Sequence, residues 1–276
     1  MKQEILDRLH NEMLVIYKEI ARVCDKHGLC YFVVGGTLLG AVVHKGYIPW
    51  DDDLDIAMPR DDYDRFIELA PTELSERFFI HHTSTDPNYW LPFAKVRMNN
   101  TVFLEEKRKN VNSHAGIYVD VFPFDYADKQ NTPKARLKWR LITWANNYIN
   151  CKVTGNQVSS KSGTALNWLF SLFSIESLSL RRDRWMRSFD QGERKNYVDL
   201  AGGRALNNSY FPIETVLPLQ ELMFGETVVK APADPNYYLL TLYTERYKII
   251  PPKEKQVTHE PLLIRFEDGT EYREKK

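Results

Sequence analysis

The sequence predicts an α+β protein, with a β-sheet core flanked by helices and a helical C-terminal half. Three patterns support this prediction. Residues 3–27 carry apolar side chains at steps of three and four, which is typical of an amphipathic helix. Short runs rich in β-branched and aromatic residues recur through the first half of the chain and predict strands. After Pro133 the pattern becomes helical, over residues 133–150 and 164–190.

The individual elements follow from local signals. The first helix is expected to end at Gly28, a residue suited to a left-handed cap. We then expect a strand, a short helix with Thr37 as its N-cap, a loop and a second strand, over residues 30–34, 37–43, 44–50 and 53–58. An acidic helix and four more strands are predicted over residues 61–70, 78–82, 93–98, 101–105 and 117–122. Asn99-Asn100 predicts a tight hairpin between the strands on either side of it.

We divide the chain into a catalytic unit, residues 1–128, and a C-terminal region, residues 129–276, that completes the site. With 276 residues and 43% hydrophobic residues, the chain has enough apolar material for a sizeable core. The 37 basic and 37 acidic residues balance, which argues against nucleic acid as a partner. Three scattered cysteines and a polar N-terminus favour a cytoplasmic location, with the inner face of the membrane as an alternative.

Aspartates are concentrated between positions 51 and 64. Those at positions 61, 62 and 64 fall in the first turn of a predicted helix, where acids complement the helix dipole. Asp53 and Asp55 instead alternate with apolar residues, so a strand would place both carboxylates on one face. Carboxylate oxygens at this spacing are suited to a hard divalent cation. The sequence therefore predicts a Mg²⁺ (or Mn²⁺) site at Asp53 and Asp55.

A glycine pair precedes this acidic segment. Gly35-Gly36-Thr37 ends a predicted strand and opens a helix, an arrangement whose backbone N–H groups can bind phosphate; a plain tight turn is the alternative. A phosphate-binding turn followed by a metal-binding strand resembles the nucleotidyltransferase superfamily, which usually adds a third carboxylate on a later strand. Asp120, alone in an apolar run, is the candidate for that position, and a structural ion pair is the alternative.

Several other side chains suit a diphosphate. Lys95 and Arg97 share one strand face and are candidates to contact phosphate groups, with a surface ion pair as the alternative. His44 and Lys45 lie in the loop before the acidic segment and are further candidates. For a quaternary ammonium group, the aromatic candidates near these motifs are Tyr47, Trp50, Trp90 and Tyr118, although each also suits ordinary packing. A lone His259 suits either a structural or an active-site position.

The stretch from Gly35 to Arg60 closely resembles the signature of the LicD family. It reads GGTLLGAVVHKGYIPWDDDLDIAMPR. Supporting matches are Lys95-Val96-Arg97, the segment 116–123 (GIYVDVFP), and the segment 247–252 (YKIIPP) with His259. The resemblance extends over about residues 13–260.

This resemblance implies a nucleotidyltransferase-like fold with a mixed sheet and transfer of phosphocholine, or a similar substituted phosphate, from CDP-choline or a related CDP-alcohol. The acceptor would be a hydroxyl of a cell-surface glycan such as teichoic acid or lipopolysaccharide, and CMP would be released. Asp53, Asp55 and Asp120 would be the catalytic, metal-binding residues. Glycerol phosphate or ribitol phosphate as cargo, and a non-catalytic CDP- or glycan-binding module, stay as alternatives. If the acceptor is lipid-linked, the apolar segment 164–180, which has basic flanks, is a candidate for peripheral membrane contact.

Overall fold

The computed structural model describes residues 2–128, 132–155, 164–189, 192–256, 258–259 and 261–273. In these ranges the helices are α1 Gln3–His27, α2 Gly35–Leu39, α3 Arg60–Glu73, α4 Pro133–Thr154, α5 Thr164–Ser171, α6 Ile175–Arg187, α7 Ile213–Val216 and α8 Pro235–Tyr243. The strands are β1 Phe32–Val33, β2 Asp55–Pro59, β3 Phe78–His81, β4 Ala94–Met98, β5 Val102–Glu105, β6 Tyr118–Ala127, β7 Asn196–Asp199, β8 Tyr210–Pro212, β9 Gln220–Phe224, β10 Thr227–Ala231, β11 Pro261–Arg265 and β12 Glu271–Arg273.

The main sheet is mixed, and the α+β class is confirmed. Its central strands run in the order β1-β2-β6-β4-β3, and β7 and β8 continue from the second half of the long strand β6. Strands β2 and β6 are parallel, whereas the other pairs are antiparallel. Because β7 and β8 come from the C-terminal region, that region contributes strands as well as helices; the boundary at residue 128 stays a prediction.

The two faces of this sheet differ sharply. Residues paired across neighbouring strands project to the same side. One side carries the apolar set Ile56, Val121, Ala94, Val96 and Ile80, all at most 2% exposed, in one core cluster with α1. The apolar stripe predicted for α1 supplies the other half of this core through Leu9, Met13, Ile16 and Ile20, each fully buried. Polar side chains of these strands are therefore expected on the opposite side of the sheet.

That opposite side carries one polar residue from each of four adjacent strands. Asp55 of β2 pairs with Asp120 of β6, Asp120 pairs with Lys95 of β4, and Lys95 pairs with His81 of β3. We call these four residues the polar row. It runs from acidic on β2 to basic on β4, and the functional site lies at its acidic end.

Two predicted elements differ from the structure. Asn100 has the positive φ (59°) expected of a turn, but β5 pairs with β11 and not with β4, so the predicted hairpin is wrong. Within residues 164–190, predicted to be helical, the described residues form two helices, α5 and α6; the Ser174 side chain accepts the N–H of Ser177 (3.1 Å) and caps the second. The α1 cap is confirmed, with Gly28 at φ 66°. Among the described helices, none combines the length and the apolar character needed to cross a bilayer.

Candidate active site

A cavity of about 540 Å³ opens beside the start of β2. The helix α2, the π-helical turn Gly40–His44 and the loop before β2 form one side of it. C-terminal segments around residues 204 and 243–251 form the other side. Its polar and aromatic lining consists of His44, Trp50, Asp51, Asp53, Asp55, Arg204, Tyr243, Arg246 and Tyr247. The cavity therefore joins an acidic wall from the first half of the chain to a basic and aromatic wall from the second half.

The acidic wall is the segment 51–55, which we call the acidic loop. Strand β2 begins only at Asp55, so the prediction that Asp53 also lies in this strand is wrong. Both carboxylates nevertheless line the same cavity, and Asp51 joins them. Burial raises the pKa of Asp51 to about 8, with additional repulsion from Asp53 and Asp52. Burial, followed by the charges of Asp53 and Asp120, also raises the pKa of Asp55 well above its usual range.

Gly35 and Gly36 allow the carboxylates to approach α2 closely. A Cβ atom on Gly36 would lie 2.7 Å from the Asp51 Oδ2, and one on Gly35 would lie 3.0 Å from the Asp55 Oδ2. Gly35 also has φ +56°, which glycine adopts without strain. The pair is thus needed for the approach of the acidic loop; phosphate binding by this turn stays a prediction.

Thr37 does not cap α2, as the sequence suggested. The helix begins two residues earlier, at Gly35, with Val34 in the N-cap position. The Thr37 Oγ1 instead accepts the backbone N–H of Asp55 at 2.8 Å. This bond fixes the start of β2 against α2, so Thr37 positions the acidic loop.

Asp52 and His259 form a clamp behind the acidic loop. The Asp52 side chain is fully buried and accepts the backbone N–H of His259 at 3.0 and 3.1 Å, while the His259 Nδ1 lies 2.9 Å from the Asp52 Oδ1. The other ring nitrogen lies 3.7 Å from the Asp53 Oδ2. Burial favours neutral imidazole, but the Asp52 bond and the Asp53 charge outweigh it and raise the pKa of His259 to about 9. A residue from the end of the chain thus supplies positive charge beside Asp53.

Asp120 lies beside Asp55 in the polar row, but its charge already has a partner. The Lys95 Nζ donates to the Asp120 Oδ1 at 2.5 Å and lies 3.4 Å from the centre of the Tyr118 ring. Both Asp120 and Lys95 are at most 7% exposed, and neither lines the cavity. The structure therefore forms the ion pair that was the alternative for Asp120; a metal-binding role for it stays a prediction. Asp125, further along the strand, is bound by Arg60 at 2.7 and 2.8 Å in a buried ion pair.

The remaining predicted contacts are dispersed. His44 lines the cavity, and its ring lies edge-on to Trp50 with a centroid separation of 6.2 Å. Lys45 is exposed, takes a left-handed conformation (φ 58°) and is outside the lining. Arg97 is fully buried and donates to the His81 Nδ1 and the Gly116 carbonyl oxygen. Of the four aromatic candidates for a cation-binding cage, only Trp50 lines the cavity.

Sequence reasoning missed the cations that do line the cavity. Arg204 donates to the Tyr243 hydroxyl at 3.2 Å and stacks over the ring of the same tyrosine, and Arg246 is exposed at the rim. Arg204 follows Gly202-Gly203, and the N–H groups of Ala201 and Gly202 bind the Asp199 carboxylate. The glycine-containing turn after β7 was the sequence signal for this site. Only the fold shows that Arg204, which follows the turn, lines the same cavity as the acidic loop.

The acidic wall fits a divalent cation in its chemistry. Within the described ranges, no lysine or arginine lies within 4 Å of the carboxylates of Asp51, Asp53 or Asp55. Clustered carboxylates whose only neighbouring cation in these ranges is the His259 ring beside Asp53 suit a hard metal ion with oxygen ligands. The same ranges contain no three His, Cys, Asp or Glu side chains already converging on one metal position, so a bound ion would draw the carboxylates together. Asp53 and Asp55 are the residues that would hold it.

Comparison with known proteins agrees with the motif. Residues 28–154 match a family model described as LicD/FKTN/FKRP, nucleotidyltransferase domain. The lipopolysaccharide cholinephosphotransferase LicD of Haemophilus influenzae is 34% identical over 105 residues, which cover 37% of this chain and 38% of that protein. An uncharacterized protein of Rickettsia typhi is 31% identical over 111 residues, covering 40% of this chain and 33% of the relative. The chain thus spans between a third and two fifths of the length of these two relatives. The matched range contains the glycine pair, the acidic loop and Asp120.

Proposed function

We propose that the protein, whose residues 28–154 match the LicD family model, transfers phosphocholine, or a similar substituted phosphate, from a CDP-linked donor to a hydroxyl of a cell-surface glycan. CMP would be the second product. The proposal includes Mg²⁺ (or Mn²⁺) at Asp53 and Asp55, with Asp120, next to Asp55 in the polar row, as a third carboxylate.

One observation carries this proposal: the cavity places the acidic loop opposite Arg204 and Arg246. Arginine binds phosphate through two parallel hydrogen bonds, and two arginines suit a diphosphate. The aromatic residues Trp50, Tyr243 and Tyr247 line the same space and offer surfaces to a base or to a quaternary ammonium group. A pure binding module would not need three clustered carboxylates facing these cations.

The chemistry follows from that arrangement. Arg204 and Arg246 hold the diphosphate of the donor with its substituted phosphorus toward the acidic loop. The acceptor hydroxyl attacks this phosphorus in line, the bond to the bridging oxygen breaks, and CMP leaves. A carboxylate of the acidic loop accepts the hydroxyl proton. When bound, a divalent ion would offset the charge of the diphosphate and acidify the hydroxyl. The clamp of Asp52 and His259 keeps Asp53 in place during the step.

CMP release from a panel of CDP-alcohols tests this function. CDP-choline, CDP-glycerol and CDP-ribitol are each incubated with Mg²⁺ or Mn²⁺ and with acceptor glycan, and CMP is quantified. We expect metal-dependent release that Asp53→Asn and Asp55→Asn reduce by at least about a hundredfold. Asp61→Asn is the matched control, because this exposed residue lies beyond the other end of β2. Full activity in both loop variants would contradict the metal assignment, and binding of a CDP-alcohol without CMP release would favour a binding module.

The proposal includes a lipid-linked acceptor, and the exposed apolar side chains of α5 and of the residue after it are the candidate membrane-binding surface. Trp168, Leu169 and Leu172 are 67%, 42% and 62% exposed, and the exposed Arg181 and Arg184 lie on the next helix. Exposed apolar side chains beside arginines suit an anionic lipid surface. Flotation with phosphatidylglycerol vesicles tests this membrane contact. We expect the double variant Trp168→Ser/Leu172→Ser to bind vesicles less than the wild type, and absence of binding by the wild type would contradict the contact.

A further inference from the structure

The basic end of the polar row continues into a buried cluster that the proposed reaction does not use. Next to Lys95 on the same face of β4 is Arg97, paired with Tyr118 of β6. The segment after β5 contributes Arg108, which is 8% exposed although its neighbours Lys107 and Lys109 are exposed. Arg108 stacks over the Trp90 ring at 4.8 Å. We call Arg97, Arg108, Tyr89 and Tyr118 the buried basic cluster.

Neither arginine of this cluster is neutralised directly. Arg97 binds a histidine nitrogen and a carbonyl oxygen, and Arg108 donates only to the Ser113 hydroxyl at 3.2 Å. In the part of the chain that the structure describes, no carboxylate lies within 4 Å of either guanidinium group. Asp120 is bound by Lys95 and Asp86 by His81, and Glu105, which acts electrostatically on Tyr118, forms no ion pair with either arginine in the described ranges. A buried charge without a counterion is costly unless a ligand supplies one.

Two tyrosine hydroxyls are also left unsatisfied. The hydroxyl groups of Tyr89 and Tyr118 are buried and have no hydrogen-bond partner among the described residues. The Arg97 guanidinium lies 4.9 Å from the centre of the Tyr118 ring, and Tyr89 feels the charges of Asp120, which Lys95 binds, and of Arg108 and Arg97. A buried hydroxyl without a partner destabilises a protein relative to a matched apolar group. Two of them next to two unneutralised arginines indicate a site kept for a ligand with several acceptor oxygens.

We infer that the buried basic cluster binds a phosphate group, held by Arg97 and Arg108 and by the hydroxyls of Tyr89 and Tyr118. Phosphate presents strong acceptor oxygens and negative charge, which match the four donor groups. The polar row links this site to the acidic wall of the cavity: Lys95, next to Arg97 on β4, binds Asp120, and Asp120 pairs with the cavity-lining Asp55. We assign the site the role of binding a phosphate group of the glycan acceptor, and this role rests on the proposed function. The inference that the site binds phosphate does not rest on it.

Inorganic phosphate, compared with chloride at equal ionic strength, is the probe. Isothermal titration and thermal shift are measured for the wild type and for Tyr89→Phe and Tyr118→Phe, with Tyr237→Phe as the exposed control. Each buried variant should be at least as stable as the wild type without phosphate, because an unpartnered hydroxyl is removed, and should bind phosphate about tenfold more weakly. Lower stability of both variants without phosphate, or unchanged phosphate affinity in both, would overturn the inference.

A second arm separates this site from the cavity. Arg204→Gln removes one of the two cavity arginines and leaves the buried cluster intact. Phosphate affinity read at Trp90 should therefore be unchanged in Arg204→Gln, whereas Arg108→Gln should lower it about tenfold. The fluorescence of Trp90, under Arg108, should change on binding, and the change should be absent in Trp90→Phe. If phosphate binding depends on Arg204 and not on Arg108, or if the wild type does not bind phosphate, the inference is wrong. Phosphate binding without CMP release would refute the proposed function alone.

Discussion

Replacing His259 tests whether the end of the chain holds the acidic loop in place. In His259→Ala, the backbone N–H bonds to Asp52 remain, but the ring bond of 2.9 Å is lost, and the 0%-exposed carboxylate loses the one cationic contact that it has among the described residues. A hydrogen bond to a charged group contributes about 1.5–3 kcal/mol. Because the histidine side chain is 37% exposed, we expect the lower part of that range, about 2 kcal/mol.

The variant His259→Asn separates the contribution of the hydrogen bond to Asp52 from that of the positive charge near Asp53. In His259→Asn, the side-chain amide can donate to Asp52 but brings no positive charge near Asp53. We therefore expect urea unfolding to show about half the destabilisation of the alanine variant, while CMP release falls in both variants. The reasoning is refuted if His259→Ala unfolds within about 0.5 kcal/mol of the wild type. It is equally refuted if the two variants are destabilised equally.

Three further substitutions test other parts of the structure. Gly35→Ala should lower turnover far more than Gly28→Ala, because both positions have positive φ but only at Gly35 does the new Cβ meet a carboxylate, that of Asp55 at 3.0 Å; unfolding energies and CMP release measured together check this, and equal losses of turnover would contradict it. Asp125→Asn should cost about 1.5–3 kcal/mol in urea unfolding, because its two hydrogen bonds to Arg60 lose their charge and this buried arginine keeps only the longer ion pairs with Asp64 and Asp183, at 3.7 and 3.5 Å; the exposed Asp61→Asn should cost about 1 kcal/mol or less, and similar losses would contradict the buried ion pair. Arg204→Gln should weaken binding of CDP-choline about tenfold by isothermal titration, and unchanged affinity would contradict its diphosphate role.

The elements that local sequence patterns define were predicted well. The first helix and its cap at Gly28 are confirmed, because apolar periodicity and a glycine cap depend on nearby residues only. The α+β class is confirmed, and the LicD resemblance is confirmed for residues 28–154, a narrower range than the sequence indicated. The hairpin at Asn99-Asn100 failed, because a turn signal does not reveal that β5 has a partner about 160 residues later, in β11.

The site residues that sequence reasoning missed are those that long-range contacts bring to the cavity. Asp53 and Asp55 were identified as candidates from their spacing, and both line the cavity. Arg204 and Arg246 were missed, because no pattern near them in the sequence indicates that they line the same cavity as the acidic loop, which lies about 150 residues or more earlier. Arg97 was chosen for its place on a strand face, but burial and its bond to His81 became visible only with the register of β3 and β4.

Transfer of doubly labelled CDP-choline tests the central claim most directly. The choline carries one isotope and the cytidine another, and the wild-type protein is incubated with Mg²⁺ and a lipopolysaccharide or teichoic acid acceptor. If the cavity transfers the substituted phosphate, the choline label appears on the glycan and the cytidine label stays in free CMP. Appearance of the cytidine label on the glycan, or absence of both labels from it with every acceptor, would contradict the account.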